Sequence, residues 1–308
     1  MQIYLPIAEM PISILLILGM GAAVGFVSGL FGIGGGFLMT PLLIFLGIPP
    51  AIAVATQSAQ ITASSTTGAL AALRRNAVDL KLAAVLTAGG FVGTALGVWV
   101  FAAMRRAGQL DLVIVLSYVT LFTLIGSLML AESLREFFRV RRGTARPRRR
   151  GGTHPAAFGW PLRMRFPRSQ LYASVLPILG LSFSVGFVGT LLGIGGGFIV
   201  VPALLYLFRI PTGVVIGTSQ VQVLSTALLA VVLQSAVNGA VDIVLAILLI
   251  IGGVFGAQFG ARAGRALRAD LFRILLGILV LAVGIRFAID IVVKPAEPFS
   301  IYLPDGRK

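Results

Sequence analysis

Two glycine clusters carry the chemistry this chain is equipped to perform. Gly32, Gly34, Gly35 and Gly36 lie in "GFVSGLFGIGGGFLMTP", which begins at Gly25; Gly193, Gly195, Gly196 and Gly197 lie in "GFVGTLLGIGGGFIVVP", which begins at Gly186. Glycine has no Cβ, so it adopts positive φ readily and lets another group approach the backbone closely. Each cluster is therefore expected to interrupt a helix. The short apolar segment that follows would begin with N–H groups lacking intrahelical partners and with the positive end of a helix dipole. Such an end attracts an anion. A dinucleotide site fits poorly, because "GIGGG" lacks both the spacing and the strand–turn–helix setting of that fingerprint.

Neutral hydrogen-bonding groups stand just beyond each break. The first copy reads "ATQSAQITASSTTG" from Ala55, with Thr56, Gln57, Ser58 and Gln60; the second reads "GTSQVQVLSTALL" from Gly217, with Thr218, Ser219, Gln220 and Gln222. On helices, Thr56, Gln60 and Ser64 share about one face, as do Thr218, Gln222 and Ser225. Hydroxyl and amide groups can donate to an oxyanion without bringing in a buried charge. The plain alternative is that the hydroxyls bond back to their own helix or across to a neighbour. That alternative is weaker for the glutamines, which are costlier to bury in lipid.

All ten acidic residues (Glu9, Asp79, Asp111, Glu132, Glu136, Asp242, Asp270, Asp290, Glu297 and Asp305) fall at segment ends or outside the apolar runs, and the single histidine is His154. An intramembrane proton relay normally needs buried Asp, Glu or His. There is no cysteine, hence no thiolate metal site. No cluster of ligands or nucleophile–base pair stands out, so the expectation is a non-enzyme without metal or other cofactor.

These groups must be held by membrane helices. The chain is 57% hydrophobic and only 11% charged, against about 25% charged in soluble domains. Apolar runs near the roughly 20 residues that cross a bilayer are read at Ile12–Phe31, Ala51–Leu73, Leu82–Ala103, Leu112–Ala131, Leu171–Leu192, Thr212–Val237, Ile243–Ala261 and Leu271–Val293. Shorter ones at Phe37–Ile48 and Phe198–Ile210 follow the breaks. The expected fold is an all-α polytopic membrane protein of about eight to ten segments, each half holding a glycine-broken or re-entrant helix. The flank "MQIYLPIAEMP" carries no Lys or Arg, and the run behind it is too long for a cleaved signal.

The halves repeat. Pro41 matches Pro202, Thr56 matches Thr218, Asn76 matches Asn238 and Asp79 matches Asp242; Gly89, Gly90, Gly93 and Gly97 return as Gly252, Gly253, Gly256 and Gly260. These later glycines are expected to serve close helix packing. Residues 1–134 form one repeat and 171–308 the other, joined by the Arg-rich linker 135–170. Basic residues collect in cytoplasmic loops, so the net charge of +15 reads as topology rather than nucleic-acid binding. The linker belongs in the cytoplasm, as a solvated loop or a surface for anionic lipid head groups. Arg74, Arg75 and Lys81 lie in one loop of the first half; the matching loop of the second, Val237–Asp242, has no basic residue, and the next has Arg262, Arg265, Arg268 and Arg273. The switch points to inverted repeats, although Arg105 and Arg106 then fall outside. Four crossings per half in parallel is the competing arrangement.

At these residues the chain resembles the TauE/SafE sulfite exporter family of bacterial membrane permeases. The carriers are "GFVSGLFGIGGGFLMTPLL" (Gly25–Leu43), "GFVGTLLGIGGGFIVVPALL" (Gly186–Leu205) and the closing "DLFRILLGILVLAVGIRF" (Asp270–Phe287). The resemblance implies multi-pass residence in the bacterial inner membrane and transport of small sulfur-containing anions such as sulfite or organosulfonates. Export is the expected direction, since an inside-negative potential drives an anion outward. Two alternatives stay open: an uptake permease for an organic sulfonate or carboxylate, and a non-transporting membrane component that docks a partner through its Arg-rich loop.

Overall fold

A computed structural model describes residues 2–31, 36–141, 162–169, 171–208, 210–263, 278 and 280–289. The described chain is helical apart from two β-hairpins. Its elements run β1 (Gln2–Leu5), β2 (Met10–Ser13), α1 (Ile14–Phe31), α2 (Gly36–Phe45), α3 (Pro50–Arg74), α4 (Leu80–Arg106), α5 (Leu110–Arg141), β3 (Arg163–Phe166), β4 (Leu171–Ser174), α6 (Val175–Leu192), α7 (Gly197–Tyr206), α8 (Thr212–Leu233), a π-helical turn (Gln234–Asn238) and α9 (Ile243–Ala263), then α10 (Val280–Ile289). Five helices among the described residues are long and apolar enough to cross a membrane. Their outward surface is apolar too: Trp99, Leu112, Ile243, Phe255 and Phe259 are exposed, as hydrocarbon-facing side chains are. The chain is an all-α polytopic membrane protein.

The hairpins correct the expected starts of two spans. Residues 12–13 and 171–174 are strand, not helix: β1 pairs antiparallel with β2 and β3 with β4. Ser174 caps α6 by accepting from the Leu176 N–H, so the helix can begin only beyond it. Phe166, Leu171 and Ala173 turn inward onto Leu82, Leu86, Leu204, Phe208 and Val215. A strand of four residues with inward apolar positions reads, in a hydropathy window, as the start of the helix behind it. The segment expected to be loop is bounded by structure on both sides, with α5 running through Arg141 and β3 starting at Arg163.

The short helices are half-length. Each has ten residues, about 15 Å at 1.5 Å per residue, against the roughly 30 Å of a hydrocarbon core. Each carries an internal proline, Pro41 and Pro202.

Gly89, Gly93, Gly252 and Gly256 sit where backbones touch, as expected, whereas Gly90 and Gly253 face the Gln222 and Gln60 side chains. A Cβ on Gly89 would lie 2.7 Å from the Leu179 carbonyl oxygen, and one on Gly93 would collide with that of Phe183. Gly252 and Gly256 do the same against Leu18 and Ala22. So α4 of the first half packs on α6 of the second, and α9 of the second packs on α1 of the first.

The spatial units cut across the sequence halves. One holds residues 1–114 and 146–268, the other 115–145 and 269–308. Within the second, Tyr118 stacks on Phe287 (centroids 5.5 Å apart), and Gly126 lets α5 approach the backbone at Leu281.

Candidate functional site

The second glycine break has the expected form. α6 ends at Leu192, Gly193 is left-handed (φ 65°), Gly195 and Gly196 follow at φ 73° and 75°, and α7 starts at Gly197. These conformations are nearly closed to residues with a Cβ, so the sequence permits this turn only with glycine. In the first copy Gly32, Gly34 and Gly35 lie outside the described residues; α1 ends at Phe31 and Gly36 opens α2. Gly36, which opens α2, lies beside the second break. A Cβ on Gly36 would lie 2.7 Å from the Ile194 carbonyl oxygen and 2.9 Å from that of Gly193. The Thr40 hydroxyl donates to Gly193 O at 3.4 Å.

Beside the second break lies a cavity of ≈ 10 Å³ for water-sized spheres, room for about one water. Its polar lining is Ser58, Thr94, Thr190, Gln222 and Thr226, with Gly195 and Gly196 at the positive end of α7 and Ile61, Val185 and Ala227 supplying apolar wall. Gln222 is fully buried, and neither Nε2 nor Oε1 has a hydrogen-bond partner. The Thr94 hydroxyl is also buried and unpartnered. A buried polar group without a partner costs about 1–3 kcal/mol, so Gln222 and Thr94 favour a polar guest in this cavity. Gly90 makes it possible, because a Cβ there would press on Thr226 at 2.6 Å and Gln222 at 3.3 Å.

The remaining candidates are placed elsewhere. Thr56 and Thr218 do not line the cavity: the Asp242 N–H donates to Thr56 Oγ1 at 3.0 Å, and the Asp79 N–H donates to Thr218 Oγ1 at 3.1 Å. Gln57 Nε2 donates to Gln60 Oε1 at 2.6 Å, and Gln60 lies against Gly253 as Gln222 lies against Gly90. Gln220 lies against Gly68. Ser219 Oγ donates to the Ile216 carbonyl. Back-bonding to the helix, weighed above, also takes Ser58, Ser64, Ser225, Thr190 and Thr226.

Sequence reasoning missed Thr94, Thr190 and Thr226 in the lining. Thr94 stands inside the "GGFVGTALG" run, where glycine spacing masked a lone hydroxyl. It also missed that two acids at segment ends are buried: Asp79 is 2% and Asp242 0% exposed. Each caps its own helix, through Leu82 N–H and Leu245 N–H respectively. Each also receives the turn of the opposite half's hairpin: Asp79 Oδ2 accepts from Ser169 N–H and Oγ–H at 2.9 Å, and Asp242 Oδ2 from the N–H groups of Ile7 (2.9 Å) and Ala8 (3.4 Å). Arg105 has a local partner, its guanidinium donating to Asn238 O at the end of the π-helical turn. No group of three metal-ligating side chains occurs among the described residues.

The model of the family described as "Sulfite exporter TauE/SafE" matches residues 17–287, both breaks included. The chain belongs to the TauE/SafE family. Among curated relatives of this TauE/SafE chain, "Probable membrane transporter protein YunE" of Bacillus subtilis is 27% identical over 67% of the chain and 72% of its own length. A "Probable membrane transporter protein" of Xylella fastidiosa is 30% identical over 70% of the chain and 72% of its own length. "Sulfite exporter TauE/SafE family protein 5" of Arabidopsis thaliana is 38% identical over 34% of the chain and 23% of its own length. No solved structure matches the chain.

Proposed function

We propose that this TauE/SafE protein is a secondary permease of the bacterial inner membrane that moves a small sulfur oxyanion, sulfite or an organosulfonate, outward. The carrying observation is Gln222: a fully buried amide with no partner, on a cavity that also meets the start of α7. A partial positive charge at a half-helix end and neutral donors suit an anion that must be released again. The names of the relatives support transport, and the family description supports sulfite.

Room for one water is less than a sulfonate group needs, so binding one requires the cavity to widen. Reciprocal contacts between the halves and the switch of basic loops support reading the halves as inverted repeats about an axis in the membrane plane. Under an inside-negative potential, outward movement of one negative charge is favourable by roughly 2.3 kcal/mol per 100 mV. Export then needs no coupling residue. The Arg-rich linker remains on the cytoplasmic face, available to anionic lipid.

The test is sulfite efflux from proteoliposomes under a clamped potential, with wild type and Gly196→Ala. A Cβ on Gly196 would meet Val185 Cγ1 at 2.6 Å in a left-handed conformation. The variant should lose at least tenfold in flux while retaining its helical content. Undiminished flux, or flux indifferent to potential, overturns the reading.

A further inference from the structure

The two halves place equivalent glutamines in unequal company. Gln60 and Gln222 occupy matching positions on α3 and α8, each beside a glycine of the opposite half's packing helix, Gly253 and Gly90. In the first half the residue three positions earlier is Gln57, and its Nε2 holds Gln60 Oε1 at 2.6 Å. Of that pair, Gln57 Oε1 is the atom recorded as buried without a partner, and it is an acceptor. In the second half the matching residue is Ser219, whose shorter side chain turns back to Ile216 O. Gln222 is thereby left with both amide atoms unpartnered. The Gln57–Gln60 bond commits one N–H of Gln57 and the Gln60 oxygen to each other and so fixes both amides in place; the Gln222 amide is held by no such bond and can turn its two N–H donors toward an oxyanion.

We infer that the protein binds one anion per chain, at the second-half break, and that Gln222 selects it as a donor to an anionic oxygen while the Gln57–Gln60 pair keeps the first half from binding a second. Thr94, the other buried hydroxyl on the cavity without a partner, is the second donor. The ligand class is a small monovalent oxyanion, because every polar group on the cavity is uncharged. The inference rests on the permease reading above and goes further by fixing the stoichiometry and the selecting residue.

The arrangement makes stability and binding oppose each other. Gln222→Met keeps the length of the side chain and removes the orphaned amide, so the unliganded protein should melt at a higher temperature while anion affinity falls at least tenfold. Ser219→Gln supplies the partner that Gln57 provides in the first half, and should act in the same two directions. Titration calorimetry of the purified full chain with methanesulfonate and with sulfite gives stoichiometry and affinity; thermal unfolding without anion gives the other arm. One anion per chain, with weaker binding and a raised melting temperature in Gln222→Met, supports the inference. Two anions per chain, unchanged affinity in Gln222→Met, or a lowered melting temperature in that variant overturns it. If Ser219→Gln does not fold, Gln222→Glu, nearly isosteric and charged against the anion, takes its place and should abolish binding; retained binding overturns the inference. Wild type that binds neither probe removes the permease reading as well, whereas two-site binding removes this inference alone.

Discussion

Phe37 and Phe198 stack face to face, ring centroids 4.5 Å apart and 11° from parallel. Each is the second residue of its short helix and both are buried. The pair therefore fixes the starts of α2 and α7 against each other, directly beside the glycine breaks. Truncating either ring should cost about 3–5 kcal/mol by cavity formation. A double-mutant cycle with Phe37→Ala and Phe198→Ala, read by unfolding in detergent, should give a coupling of about 0.5–1.5 kcal/mol beyond lost area. Additive losses would mean that the rings contribute only separate burial.

Thr56 and Thr218 should behave as structural acceptors and not as anion ligands. Valine at either position leaves a buried Asp242 or Asp79 N–H unpaired, at about 1–3 kcal/mol. The expected outcome is a lowered unfolding midpoint with anion affinity changed by less than about threefold, the scatter that indirect packing effects produce. A selective loss of affinity at unchanged stability would return these hydroxyls to the site.

Glycines that look alike in sequence should split sharply on substitution. Gly93→Ala and Gly256→Ala each drive a methyl into a carbonyl of the facing helix, and should sharply reduce the yield of folded protein. Gly19→Ala and Gly180→Ala meet nothing within 4 Å, and should be neutral or stabilise by about 0.5–1 kcal/mol through helix propensity. Size-exclusion recovery and thermal unfolding separate the two classes.

Binding of methanesulfonate should not respond to pH. The cavity lining contains no titratable side chain. Between about pH 6 and pH 8, where histidine-type groups change charge, the affinity should stay within twofold. A tenfold change across that window would place a titrating group at the site.

The second break was legible because glycine clusters have few other uses in an apolar chain: Gly193, Gly195 and Gly196 adopt the positive φ that their type foretold. Gly89 and Gly93 were legible as packing residues for the same reason, repeated at helical spacing. The polar face on α3 and α8 was visible as composition but not as function. Thr56 and Gln222 are equally polar in the sequence, yet one meets a backbone N–H from 186 residues away and the other meets nothing. Long-range partners leave no local trace. The hairpins were hidden because Phe166, Leu171 and Ala173 bury apolar atoms as a helix would, in strands too short to display a period of two.

The exchange between Asp79, Thr218 and Ser169 on one side, and Asp242, Thr56 and Ile7 on the other, follows the rule of an isologous interface: whatever residue i gives to the other half, its counterpart receives back. Neither portion, synthesised by itself, would own the hydroxyl that accepts the N–H of its buried aspartate or the hairpin turn that donates to that carboxylate, so separately expressed fragments should be insoluble alone and recover only when made together.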